Sequence, residues 1–291
     1  MKVVDYKDFE AISPIFKGEK GYKRAELLMR IFSLDKVNKV YKNSIEYTGA
    51  KFTSSLLNDL GIKYIIGNIE RLKFLPKKGP FITISNHPYG GLDGIILVDL
   101  IAAIRPDFKL MVNNILAKVK TMKDNFISVI PVSNENKGIT RVNLDGIRET
   151  IRHLYNGHPV GFFPSGAVSD FSLKDLRIRD RQWQTSIIRL IKSAKVPVMP
   201  IRFFDTNSSF FYFLGLINWK IRNLKLPSEL FNKRGQKPRI GIGKIISVEE
   251  QEQYKDIETF GEFLRKAVYN MPLPSSFTPR YMLNLAEYQF D

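Results

Sequence analysis

The stretch Ser85-Asn86-His87-Pro88-Tyr89-Gly90-Gly91-Leu92-Asp93-Gly94 sets a histidine six positions before an aspartate, with two glycines between them, directly after an apolar run. A carboxylate beside an imidazole can hold it in one neutral tautomer, leaving the other ring nitrogen free to accept a proton, as a general base for an alcohol requires. Helical geometry alone would keep the two apart, because six residues at about 100° each put Asp93 roughly 240° around from His87. The turn must supply the approach: Pro88 biases His87 toward an extended backbone, and Gly90 and Gly91 can take positive φ at little steric cost. A buried imidazole capping the next helix would use the same residues. The flanking Ser85 and Asn86 and the segments that follow favour the catalytic alternative.

A second segment, Phe162-Phe163-Pro164-Ser165-Gly166-Ala167-Val168-Ser169-Asp170, is again a strand running into a proline-glycine turn. Backbone N–H groups around Gly166 could bind an anion or an oxyanion, with Ser165 and Ser169 adding hydroxyls. Ser165 as a nucleophile is the alternative, but no glycine stands two positions before it, so a nucleophile elbow is absent. A third segment spans Val196-Pro197-Val198-Met199-Pro200-Ile201-Arg202-Phe203-Phe204 and continues to Asn207-Ser208-Ser209-Phe210-Phe211-Tyr212. Its prolines could shape a rigid groove wall, its aromatics suit a groove or a core equally, and Arg202 at the strand end is a candidate anion contact.

The elements that must position these segments follow from the hydropathy pattern. With 291 residues, 44% of them apolar, the chain can fill a sizeable core. Residues 1–62 read as an N-terminal helical extension with amphipathic, basic helices: Ala25, Leu27, Leu28, Ile31 and Phe32 recur at helical spacing, then Phe52, Leu56, Leu57 and Leu60 before Gly61. Residues 63–291 read as an α/β unit packed as one. Short apolar runs at 64–69, 81–85, 109–112, 127–132, 160–163, 198–204 and 239–246 alternate with helical patterns at 93–104, 143–156, 183–194 and 248–270. That alternation predicts α/β with a mostly parallel central sheet flanked by helices. Function in such sheets gathers at the carboxyl ends of strands, where His87 and the segment after Phe163 would both sit.

Composition narrows the chemistry. Zero cysteines exclude disulfides and thiolate nucleophiles, and 3 histidines leave few ways to build a protein-ligated metal site, so no metal is expected. A net charge of +16 implies an anionic partner: nucleic acid, an anionic membrane or acidic substrates. The basic residues are dispersed without a nucleic-acid reading motif, so nucleic acid is the poorest of the three. The apolar stretches 94–104 and 210–219, broken by Asp99 and Asn218, fall short of the roughly 18 to 20 residues of a membrane span. The expectation is a chain that lies on a membrane without crossing it. Acidic residues near the start, where a secretory signal needs an apolar core, predict no export and a cytoplasmic location.

Taken in order, these segments resemble the glycerophospholipid-type acyltransferase family, and more closely its bacterial hemolysin-like branch, over roughly residues 64 to 246. His87 and Asp93 match the family's His-Asp block, with five intervening residues as in that branch. Phe163-Pro164-Ser165-Gly166-Ala167-Val168-Ser169 matches the block that reads Phe-Pro-Ala-Gly-Glu-Val-Ser there. Asp180 and Trp183 match Asp-x-x-Trp, Pro200 the late proline block, and Asn207-Ser208-Ser209-Phe210-Phe211-Tyr212 matches Asn-Ser-x-x-Phe-Tyr. The resemblance implies transfer of a fatty acyl group from acyl carrier protein or coenzyme A to the hydroxyl of a lyso-lipid. His87 is then the base and Asp93 its orienter, with no acyl-enzyme, metal or prosthetic group. Asn86, Gly90, Gly91, Phe163, Pro164, Ser165, Gly166, Ser169 and Arg202 are the expected substrate contacts. The basic surface would meet acidic carrier protein and an anionic leaflet on the inner face of the membrane.

Two departures bear on the acceptor. Ser165 and Ala167 stand where the family carries a glutamate, and Ile130-Pro131-Val132-Ser133-Asn134 lacks the arginine of the second block, for which Arg141 is a possible substitute. The family uses those positions on an acceptor phosphate, so an acceptor without it, such as a lyso-aminolipid with a free hydroxyl, fits better. A non-catalytic basic membrane-surface protein keeping the same fold, and a thioesterase or lipase, are the alternatives.

Overall fold

In the computed structural model, which describes residues 2–130 and 140–288, the chain builds one eight-stranded sheet and a separate two-stranded hairpin. The strands are β1 (Ile65–Gly67), β2 (Ile82–Ser85), β3 (Lys109–Asn113), β4 (Phe126–Val129), β5 (Val160–Phe162), β6 (Asp170–Ser172), β7 (Arg177–Arg179), β8 (Val198–Phe203), β9 (Arg239–Ile242) and β10 (Phe277–Pro279). The large sheet runs β10-β1-β9-β8-β2-β5-β3-β4, antiparallel only at β1/β10 and β8/β9. The expected mostly parallel α/β architecture is present. Strand β2 is buried at every residue, as a centre strand covered on both faces must be.

Helices cover the two faces. Four precede the sheet: α1 (Tyr6–Ile12), α2 (Gly18–Ile31), α3 (Leu34–Asn43) and α4 (Gly49–Leu60). Phe52, Leu56, Leu57 and Leu60 of α4 share one apolar cluster with Leu97 and Ile101 of the segment after β2 and with Met199, Ile201 and Phe203 of β8. That segment begins as α5 (Gly91–Leu97) and widens into a π-turn over Val98–Ala102, where buried Asp99 accepts a 2.7 Å hydrogen bond from Tyr64 Oη. Sequence periodicity gave no sign of the widening. Beyond it come α6 (Arg141–Tyr155) and α7 (Thr185–Ala194). The other face is filled by Ile188 and Ile191 of α7 and by Phe260, Leu264 and Val268, packed on Ile82, Ile84, Phe162 and Val198.

Three departures from the expected elements have local causes. The helical pattern over 248–270 splits into α11 (Val248–Glu252) and α12 (Ile257–Tyr269), because Asp256 caps a new helix by accepting from Thr259 N at 2.8 Å. The aromatic stretch after Asn207 folds as α8 (Ser209–Ile217), α9 (Trp219–Leu224) and α10 (Leu226–Asn232), the first two capped by Ser208 and Asn218. Strands β6 and β7 are too short and polar to register as apolar runs. The far end of the expected run 127–132 lies outside the described residues. Among the described residues no helix is long and apolar enough to cross a membrane.

Strand register delivers the chemistry-bearing loops to one edge. Ile84 is level with Phe162 of β5 and Ser85 with Ile201 of β8, all parallel, so the chain leaves β2 and β5 side by side. Just past β2, Asn86 replaces a backbone unit: its Oδ1 accepts from Phe203 N at 2.8 Å and its Nδ2 donates to Phe203 O at 2.9 Å. The Asn86→Ala substitution leaves both backbone groups buried and unpartnered and is expected to cost roughly 2–4 kcal/mol in urea unfolding. Asn86→Asp should rescue little, since its second oxygen would face the Phe203 carbonyl. A loss below about 0.5 kcal/mol would show that the clamp contributes nothing.

Candidate active site

His87 follows β2, and Asp93 occupies the first turn of α5. The turn between them closes because Gly90 adopts φ +78°, and a Cβ there would come within 2.9 Å of Leu226 and 3.3 Å of Val168. Only glycine fits. Gly91 differs from the expectation: it starts the helix without positive φ, and a Cβ on it would meet open space.

The result is a compact hydrogen-bonded pair. Asp93 Oδ2 lies 2.9 Å from His87 Nδ1 and also accepts from the N–H groups of Tyr89 at 2.8 Å and Gly90 at 3.0 Å. The Asp93 side chain is 0% exposed and that of His87 18%. Burial pushes the Asp93 carboxyl up to about 6, against the hydrogen bond from His87 and the two backbone donors that favour its ionised form. An oxygen already accepting two N–H groups fixes the proton of the neutral imidazole on Nδ1, which leaves the Nε2 lone pair available. Among the described residues nothing hydrogen-bonds Nε2. The Phe163 ring stacks on the imidazole with centroids 4.0 Å apart and planes 21° from parallel, fixing the plane of the base.

Three tethers hold the turn. His87 O accepts from Ser169 N at 2.9 Å, His87 N donates to Asp180 Oδ1 at 3.1 Å, and Tyr212 Oη donates to Pro88 O at 3.1 Å. Buried Asp180 also takes Ser169 Oγ at 2.6 Å and Trp183 Nε1 at 3.2 Å. Asp180, Trp183 and Tyr212 were visible in the sequence only as motif matches. No spacing rule marks Asp180 and Tyr212 as positioning residues, because His87 and Pro88, which they hold, lie far away in the chain.

Several expected substrate contacts are engaged elsewhere. Asn86 is committed to Phe203. Gly166 N–H closes the turn on Phe163 O at 2.9 Å, and Pro164 O accepts from Gln184 N at 2.8 Å. Ser165 Oγ donates to Ala167 O at 2.7 Å and Ser169 Oγ to Asp180, so these donors do not form an open oxyanion hole. Ser165 has its hydroxyl on a carbonyl and no base beside it, which argues against a nucleophile. Arg202 caps the end of α12 by donating to Tyr269 O and, at 2.6 Å, to Met271 O, while lying over Phe204. The orphan carbonyls of that helix end occupy the cation expected to meet an anion. Arg141 is at the surface of α6 beside Asp145, and residues 131–134 of the second block lie outside the described residues.

Two other features lie apart from the His87 turn. His158 Nδ1 also meets an aspartate, Asp107 Oδ2 at 2.8 Å, but Arg105 grips both oxygens of that carboxylate, which makes the cluster a structural brace. A cleft of about 820 Å³ lies beside Asp180, lined by Trp183, Arg189, Glu262 and Arg265, and His87 does not line it. Among the described residues no set of three His, Asp or Glu side chains gathers to hold a metal.

A family model described as Acyltransferase matches residues 19–275, a span wider than the resemblance read from the motifs and one that takes in the His87 turn and all its tethers. A lyso-glycine lipid O-acyltransferase of Bacteroides thetaiotaomicron is 26% identical over 251 residues, covering 84% of this chain and 88% of the relative. A protein of the same name from Phocaeicola vulgatus is 24% identical over 251 residues, covering 84% and 86%. With the family match running from α2 past α12, the chain belongs to the acyltransferase family.

Proposed function

We propose that this protein moves a fatty acyl group from an acyl thioester, carried by acyl carrier protein or coenzyme A, onto the hydroxyl of a lyso-lipid. The observation that carries the reading is the buried Asp93 carboxylate on His87 Nδ1, with Nε2 unoccupied, in a chain of the acyltransferase family. The acceptor hydroxyl gives its proton to Nε2 as its oxygen bonds to the thioester carbonyl carbon. The tetrahedral oxyanion collapses, the C–S bond breaks, and the departing thiolate takes the proton back from Nε2. The products are an ester and a free thiol, with no acyl-enzyme. Ionised Asp93 stabilises the imidazolium that exists between the two proton transfers. General-base help of this kind is worth about 10²- to 10⁴-fold, and positioning supplies much of the rest.

The acceptor we favour is a lyso-lipid built on an amino acid. Both relatives are named for a lyso-glycine lipid, and Ser165 and Ala167 replace the glutamate expected where the family meets an acceptor phosphate. Such a substrate places the enzyme at the surface of the membrane, on its inner face, where acyl carrier protein and coenzyme A thioesters are available.

His87→Ala is expected to lower thioester-dependent acylation by at least about 10²- to 10⁴-fold with an unchanged melting temperature. Undiminished turnover in the folded variant would refute the assignment. Asp93→Asn should reduce turnover by a comparable factor, because the amide neither enforces the Nδ1–H tautomer nor balances the imidazolium.

The pH dependence separates stability from activity. Asp93 is raised in the folded state from 3.8 to about 6, so its contribution to stability is full below the unfolded value and is lost as pH rises through about 6. Turnover has the opposite sign, since it needs the ionised carboxylate, and should climb across the same window. A rate profile flat between about pH 5 and about pH 8 would contradict this. In urea unfolding at about pH 8, Asp93→Asn should be at least as stable as the parent protein.

A further inference from the structure

The helices after β8 leave an apolar face uncovered. In α8, Phe211 and Tyr212 turn inward onto Val168 and Phe171, whereas Phe210, Phe213, Leu216 and Ile217 are exposed, Phe213 by 55% and Ile217 by 63%. Trp219 and Ile221 of α9 continue the exposed face. The β6/β7 hairpin belongs to the same unit: Phe171 and Ile178 pack against the Phe211 cluster, and Asp170 pairs with buried Arg222 of α9. Its tip presents Leu173 and Leu176 to solvent. So many large apolar side chains on one unit mark an interaction surface.

Charge selects the occupant. Residues 206–228 contain no aspartate or glutamate, but hold exposed Lys220 and half-buried Lys225, which also pairs with Glu229 at 3.7 Å, besides the buried Arg222. Lys220 lies over the Trp219 ring at 5.5 Å and Lys225 over Phe210 at 5.7 Å, and the hairpin tip adds exposed Lys174 and Arg177. Tryptophan, phenylalanine and leucine edged by lysines is the composition of a helix lying in a bilayer interface, and the one acid at the hairpin tip, half-buried Asp175, is held by Arg179 and Ser172. Helix α2 also exposes Leu27 and Ile31, yet it carries Glu19 and Glu26 in ion pairs with Lys23 and Arg30, a mixed surface without that complementarity.

We propose that α8, α9 and the β6/β7 tip are the face by which this protein seats in the interfacial region of an anionic lipid bilayer. The same unit touches the His87 turn, through Tyr212 on Pro88 and through Leu226, which follows α9, against Gly90. Seating there brings a lipid hydroxyl to the base without removing the lipid from the interface. The use made of the seat rests on the acyl-transfer reading, whereas the seat itself does not, so the two can fail separately.

The test uses the full chain with sucrose-loaded vesicles of phosphatidylcholine, alone or with about one third phosphatidylglycerol. Co-sedimentation is expected on the anionic vesicles, weakening as salt rises, together with a blue shift in tryptophan emission, since Trp219 is exposed and Trp183 buried. The double variant Phe213→Ser, Ile217→Ser should bind at least about tenfold more weakly with an unchanged melting temperature. Leu27→Ser with Ile31→Ser in α2, and His87→Ala, should bind as the parent does. Equal binding by the Phe213 and Ile217 double variant would overturn the proposal. So would loss of binding in the α2 variant, or self-association through this face without vesicle binding.

Discussion

Everything at the candidate active site depends on one buried carboxylate. Asp93 sits in the first turn of α5 with no exposure, and one of its oxygens, Oδ2, takes three N–H donors while Oδ1 is buried without a hydrogen bond. Burying a charge is costly unless it is well hydrogen-bonded, and bonds to an ionised acceptor are stronger than neutral ones. Here the balance is incomplete, which is why the carboxyl is pushed up toward neutrality. The fold carries that cost at a single point. The return is an imidazole whose proton position and ring plane are both set before any substrate arrives.

Setting the carboxylate in place requires parts of the chain that are far apart in sequence. The parallel pairing of β2 with β5 and β8 brings three loops to one edge of the sheet. Asn86 extends the β2–β8 ladder with a side-chain amide, Asp180 ties the loop after β5 to the backbone of His87, and Tyr212 reaches from α8 to the carbonyl of Pro88. Each bond satisfies a buried polar group that would otherwise destabilise the fold. The same bonds that close the backbone accounts of these loops therefore fix the base, so stability and positioning share their residues here.

This double duty explains what was legible in the sequence. The centre strands were readable because strands covered on both faces are continuous apolar runs, and His87 with Asp93 was readable because a glycine turn between two such side chains is conspicuous. The partners of Asn86, Ser165, Ser169 and Arg202 within the fold were not legible, because a polar side chain at a strand end or in a loop looks free until its buried partner is known. Arg202 illustrates it, since the carbonyls it caps belong to Tyr269 and Met271. Helix α8 was missed because its run from Phe210 to Leu214 has no polar side to produce a helical alternation, and α9, at 6 residues, is too short to show one. Asp180 entered only through a motif, as nothing in its neighbours foretells three donors converging on it.

Acyl transfer by this site requires that Asp93 fix the His87 tautomer with a bare Nε2. Long-range proton–nitrogen correlation NMR on protein labelled at the histidine ring nitrogens, with His87 assigned by comparison with His87→Gln, reads this directly at alkaline pH. The expected spectrum shows a protonated Nδ1 and an unprotonated Nε2. A proton on Nε2 with Nδ1 bare would contradict it, because the nitrogen left free would then face the carboxylate rather than the acceptor.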